Sequence, residues 1–122
     1  MPSQFEIETF IGGSFRSIWS LDLVQFLCAN PDNSYSKEEL IAALRASESV
    51  VSQSIATLAS VGLVLIDQGR IRLHIADWRS KELIEGAIQL YAKSPDKVRR
   101  LIISAASPGL TAFADAFRLR KD

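Results

Sequence analysis

The chain has very little of what most functional chemistry needs: one cysteine, Cys28, and one histidine, His74, in 122 residues. A lone cysteine excludes an intrachain disulfide framework, and a lone histidine excludes a His-rich metal site. An excess of either charge is also missing. Fourteen basic residues face fourteen acidic ones, which argues against a polybasic nucleic-acid binder and against a disordered acidic tail. No uncharged apolar run approaches the roughly 20 residues that span a bilayer. Met1-Pro2-Ser3-Gln4-Phe5-Glu6 lacks the basic and apolar segments of a signal peptide. The expectation is a cytoplasmic protein with no membrane partner. Catalytic layouts are absent as well: no Cys/His or Ser/His/Asp arrangement, no phosphate-cradling glycine loop and no H-E-x-x-H. Gly12-Gly13 precedes no P-loop lysine, and Glu38 and Glu39 are explained by helix capping. The sequence therefore reads as a non-enzyme, with no cofactor and no metal.

What is present is 48% apolar and 23% charged composition, enough for one domain with a real core and no staple. The neutral sum hides an asymmetry. Residues 1–66 carry three basic and seven acidic groups, and residues 67–122 carry eleven basic and seven acidic. Such a division marks where an anionic partner would sit, although charge clusters are also ordinary solvated faces.

Residues 1–16 alternate Phe5, Ile7 and Thr9 with Glu6 and Glu8, which suggests a short strand or an extended arm ended by Gly12-Gly13. Ser17 to Ala29 has a wide apolar stripe (Ile18, Leu21, Val24, Cys28 and neighbours) and predicts a central helix. Asn30-Pro31-Asp32-Asn33 stops it. Ser36 and Glu39 form a capping box for a short helix with Leu40, Ile41 and Leu44 on one face. Ser47 caps a third helix bearing Val51, Ile55, Leu58 and Ala59, and Gly62 ends it. Leu63-Val64-Leu65-Ile66 and Arg70-Ile71-Arg72-Leu73-His74-Ile75 flank Asp67-Gln68-Gly69 and predict a hairpin on a three-residue turn. Ile71, Leu73 and Ile75 should pack inward, leaving Arg70, Arg72 and His74 outside. Amphipathic helices follow over Trp78–Ala92 and from Pro95, and Leu110, Phe113, Ala114 and Phe117 make a further stripe before Arg118, Arg120 and Lys121. The fold class is mainly α with a small β-hairpin (α+β), in three parts: 1–16, 17–76 and 77–122.

The order of helix, helix, short turn, helix and hairpin resembles a winged helix-turn-helix with a C-terminal helical extension. Ser47-Glu48-Ser49-Val50-Val51-Ser52-Gln53-Ser54-Ile55, with Leu58 and Val61-Gly62-Leu63-Val64, is similar to the recognition helix of MarR-like bacterial transcriptional regulators. The resemblance covers residues 17–76. It implies a DNA-binding transcriptional regulator whose recognition helix, about 48–61, enters a major groove and whose wing is about 63–75. The residues it assigns to DNA are Arg45, Glu48, Ser49, Ser52, Gln53, Thr57, Arg70 and Arg72. Gln53 has the paired donor and acceptor that suit adenine, the serines and Thr57 suit phosphates or base edges, and the arginines suit the backbone. The pattern departs in one respect: no lysine or arginine lies between Arg45 and Arg70, while Glu48 stands at the contact edge. Phosphate neutralisation supplies much of the affinity for DNA, so this helix must borrow it from elsewhere.

Each feature has a plainer reading beside it. The polar face of the third helix also suits solvent, Arg70 and Arg72 also suit an exposed hairpin, and His74 a surface position. Cys28 packs as a small apolar group. Arg99, Arg100 and the cluster Arg118, Arg120 and Lys121 suit phosphate or solvated helix ends, and the last cluster also complements the helix dipole; Trp19, Trp78, Tyr91, Phe113 and Phe117 suit an effector pocket but serve mainly as core. The apolar stripes after residue 77 either complete the core or pair with a second copy; a homodimer would present two recognition helices to a palindromic site. The alternative is a winged helix used for binding protein, without DNA.

Overall fold

The computed structural model describes residues 2–106. Helix α1 (Gln4–Ser14) leads to α2 (Ile18–Ala29), β1 (Ser34–Ser36), α3 (Lys37–Leu44), α4 (Glu48–Ser60), β2 (Val64–Asp67), β3 (Arg70–Leu73), α5 (Trp78–Lys93) and α6 (Pro95–Ala106). The class is α+β: six helices and a three-stranded antiparallel sheet of order β1-β3-β2 among the described residues. The stripe at Leu110, Phe113, Ala114 and Phe117 and the cations Arg118, Arg120 and Lys121 lie outside the described residues.

The N-terminal strand or arm expected over 1–16 is a helix instead. Ser3 accepts from the Glu6 N–H (3.1 Å) while the Glu6 carboxylate accepts from the Ser3 N–H (3.1 Å), a capping box that nucleates α1. The alternation at Phe5, Ile7 and Thr9 is outweighed by the helical spacing of Ile7, Phe10 and Ile11, which face the protein while Phe5 is exposed. Gly12 and Gly13, expected to break the chain, lie inside α1. At Gly12 a Cβ would come to 3.5 Å from the Cβ of Ala105, an ordinary van der Waals contact, so α1 lies against α6 there without requiring glycine. Residues 2–16 therefore belong to the globule rather than to an arm. Ile11 and Phe15 share one buried cluster with Leu21, Leu23, Val24 and Leu27 of α2, Leu40, Val51 and Leu58, the strand residues Val64 and Ile71, and Ile84, Ala87, Val98 and Ile102.

Ser36 and Ser47 cap α3 and α4 as expected, each accepting from the N–H three residues on, and Ser17 caps α2 in the same way. At the other end of α4, Gly62 has φ +80°. Its N–H donates to the Ala59 carbonyl (3.1 Å) and the Leu63 N–H to that of Leu58 (2.9 Å), which together make a Schellman motif. The hairpin differs in detail from expectation. Its turn is two residues, Gln68 and Gly69, both at positive φ (52° and 77°), as the primed turns that match strand twist require. Asp67 pairs with Arg70 as the last rung of the ladder. The second strand ends at Leu73, so Ile75, expected in it, lies beyond it and half-buried. A third strand that the sequence reading missed, β1, pairs Ser34 with Arg72, Tyr35 with Ile71 and Ser36 with Arg70. Three residues are too few for a visible alternation; β1 is held by its ladder with β3 and by Tyr35, whose tilted ring packs on Phe26 of α2 at 5.0 Å. Trp78, expected mainly as core, is 68% exposed and carries the Lys81 ammonium 4.7 Å from its ring centroid.

Candidate functional site

Helices α3 and α4 meet through the left-handed Arg45 (φ 53°). The turn 45–47 aims α4 so that Val51, Ser54, Ile55 and Leu58 face the core. The opposite side carries Glu48, Ser49, Gln53 and Ala56, all exposed, with Ser52 and Thr57 half-buried at its edges. Ser49, Gln53 and Thr57 are spaced four and four, and so follow one row along α4.

The assigned residues separate into two sets. Arg45 and Arg72 are exposed and form no ion pair among the described residues. Arg70 is engaged: its guanidinium donates to Glu39 (3.1 Å), to the Ser34 carbonyl (2.7 Å) and to the Ser34 hydroxyl (3.3 Å). It ties β3 to β1 and to the start of α3. Glu39 also accepts from the Ser36 N–H at 2.8 Å, and that bond, with the Ser36 hydroxyl and Arg70, holds its carboxyl below the usual range. Glu48 at the first position of α4 pairs with Lys37 of α3 at 3.2 Å, so its charge is partly neutralised. Arg79, at the start of α5, pairs with Glu6 of α1.

One cation missed by the sequence reading adjoins the site. Arg16, in the turn between α1 and α2, is exposed and borders a groove of about 340 Å³ with Ser17, Gln53, Ser54, Ala56 and Thr57. It stands 37 residues before Gln53, and no local spacing signals their meeting; the packing of α2 on α4 brings them together. On the other side of the same turn lies an apolar cleft of about 290 Å³ between α2 and α6, lined by Ile18, Trp19, Ile102 and Ile103 with Arg16 and Arg99 at its rim.

The outer face of the sheet carries Leu65 beside Arg72, and Val61, Leu65 and Ile66 are exposed around β2, an edge strand. His74 is half-buried and its N–H donates to the Leu63 carbonyl at 2.8 Å. Cys28 is half-buried, and burial pushes its thiol up, the opposite of what a reactive thiolate needs. Among the described residues no three His, Cys, Asp or Glu side chains converge as a metal site, and no helix is long and apolar enough to cross a membrane. Comparison with known proteins yields no matching family, no matching curated protein and no matching solved structure.

Proposed function

We propose that residues 17–76 act as a winged helix-turn-helix that binds duplex DNA in a transcriptional regulator, with α4 in the major groove and the β2–β3 hairpin as wing. One observation carries this reading. In the outer row of α4, Ser49 and Gln53 are exposed and Thr57 is half-buried, and all three are polar. Arg45 stands just before the helix and Arg16 lies beside Gln53 and Thr57, while Arg72 is exposed on the sheet. Gln53 offers a bidentate donor and acceptor to a base edge, and the three arginines offer charge to phosphates. The element order helix, strand, helix, helix, strand, strand, with β1 beside β3, is compatible with that use. Arg70, held by Glu39 and Ser34, shapes the sheet in this reading and is not a DNA ligand. A homodimer would set two α4 helices against two half-sites.

A second reading, an interaction module for protein, is favoured by specific observations. Residues 17–76 carry four basic against six acidic groups, two of the four are ion-paired, and Val61, Leu65 and Ile66 form exposed apolar surface. Fluorescence anisotropy with mixed-sequence duplex across a salt series separates the two. Under the DNA reading affinity falls steeply with salt, because several phosphates are contacted. Arg72→Ala then weakens binding to any duplex and lowers the salt slope by about one. On an identified site Gln53→Ala costs about 1–3 kcal/mol. No binding at low salt overturns the DNA reading and leaves the protein-binding one.

A further inference from the structure

In the DNA reading, a recognition helix without a cation must borrow affinity from elsewhere. The groove between the Arg16–Ser17 turn and α4 has one wall from the start of α2 and the other from Gln53, Ser54, Ala56 and Thr57. Arg16 is exposed and forms no ion pair among the described residues. Ser54 is only 4% exposed and has no hydrogen-bond partner among the described residues. No fully enclosed polar side-chain atom lacks a partner there, so the Ser54 hydroxyl opens into the groove. A nearly buried hydroxyl without a protein partner is costly unless something outside the chain bonds to it.

We propose that this groove is a phosphate site for the DNA backbone. Arg16 supplies the charge, the Ser54 hydroxyl donates to a non-bridging oxygen, and the bound phosphate fixes the register in which Gln53 meets a base. The inference rests on the DNA reading and gives it a residue outside the helix-turn-helix. Arg16 and Gln53 line one groove, which puts a phosphate bound at Arg16 next to the side chain proposed to meet a base. Other anions are less well served, because the groove is open along the face of α4 that a duplex would cover.

The test is the anisotropy salt series on the full chain with mixed-sequence duplex, comparing the parent with Arg16→Gln, Arg16→Lys, Ser54→Ala and, as a control on α6, Arg100→Gln. Arg16 and Arg100 are exposed, so their variants should fold. Loss of one phosphate contact lowers the slope of log K against log salt by about 0.9, so Arg16→Gln should show that drop and bind several-fold more weakly at moderate salt. Arg16→Lys should restore the slope. Ser54→Ala should weaken binding two- to three-fold with the slope unchanged, since a hydroxyl carries no charge. Arg100→Gln should behave as the parent. If the parent binds and Arg16→Gln keeps its slope, or if Arg100→Gln loses as much as Arg16→Gln, the phosphate site is wrong while the DNA reading stands. If the parent binds no duplex, both fall together.

Discussion

Gly86 in α5 lies directly under Ile7 of α1. A Cβ placed there would stand 2.7 Å from Ile7 Cδ1 and 3.0 Å from Ile7 Cγ1. Two opposed effects decide the outcome of Gly86→Ala. Replacing glycine by alanine within a helix gains about 1 kcal/mol. Forcing a methyl into a filled contact costs typically 1–3 kcal/mol, reduced where a flexible side chain can retreat. Ile7 is half-buried and its Cδ1 can swing, but Cγ1 is anchored one bond from Cβ, so the variant should be destabilised by about 1 kcal/mol. Ile7→Ala removes both clashing atoms. In that background Gly86→Ala should be stabilising by up to about 1 kcal/mol, which gives a coupling near 2 kcal/mol between the two positions. Urea unfolding followed by far-ultraviolet circular dichroism measures all four corners of the cycle. The same change for Gly86→Ala in both backgrounds would refute the packing of α1 on α5. It would reopen the extended arm that the alternation of residues 5–9 suggests.

Two other outcomes follow from local geometry. Gly62→Ala meets no steric obstacle but keeps φ at +80°, and the left-handed conformation should cost about 1–2 kcal/mol in the urea midpoint; an unchanged midpoint would show that the Schellman ending of α4 does not form in solution. Asp22 is half-buried on α2, where burial raises its carboxyl above the ordinary range although the Tyr91 hydroxyl bonds to it. Its folded-state pKa thus exceeds its unfolded value of about 3.9, so its contribution is full below that value and is lost as pH rises through the folded one. Asp22→Asn, which cannot ionise, should match the parent near pH 3 and gain on it towards pH 7, where a pH-independent difference in midpoint would contradict the burial argument.

Much of the fold is written in short-range chemistry. Ser17, Ser36 and Ser47 followed by buried aliphatics at helical spacing set the starts of α2, α3 and α4, and Gly62 sets an end, because caps satisfy backbone groups a few residues away. The hairpin was legible for the same reason, since two β-branched-rich runs flank a short turn containing Gly69 and Ile71 alternates with Arg70 and Arg72, while the turn itself is one residue shorter than expected. Misreadings arose where tertiary contact outweighs a weak local pattern. Phe5, Ile7 and Thr9 imitate a strand, yet the Ser3–Glu6 box and the seat of Ile7 over Gly86 make a helix. The three residues of β1 take their place from the ladder with β3 and from Tyr35 against Phe26.

The candidate site divides along the same line. The sequence by itself determined which polar side chains α4 turns outward, because helical periodicity assigns Ser49, Gln53 and Thr57 to one face once Val51, Ile55 and Leu58 are buried. Only the tertiary structure decided which charges remain available to a partner. Arg70 is taken up by Glu39 and Ser34, thirty-one and thirty-six residues away, and Arg79 by Glu6 across seventy-three. Arg16 is carried to the side of Gln53 by the packing of α2 on α4. Ion pairs and grooves depend on distances through space, and a chain folded into a core brings together residues whose separation in sequence carries no signal of the meeting.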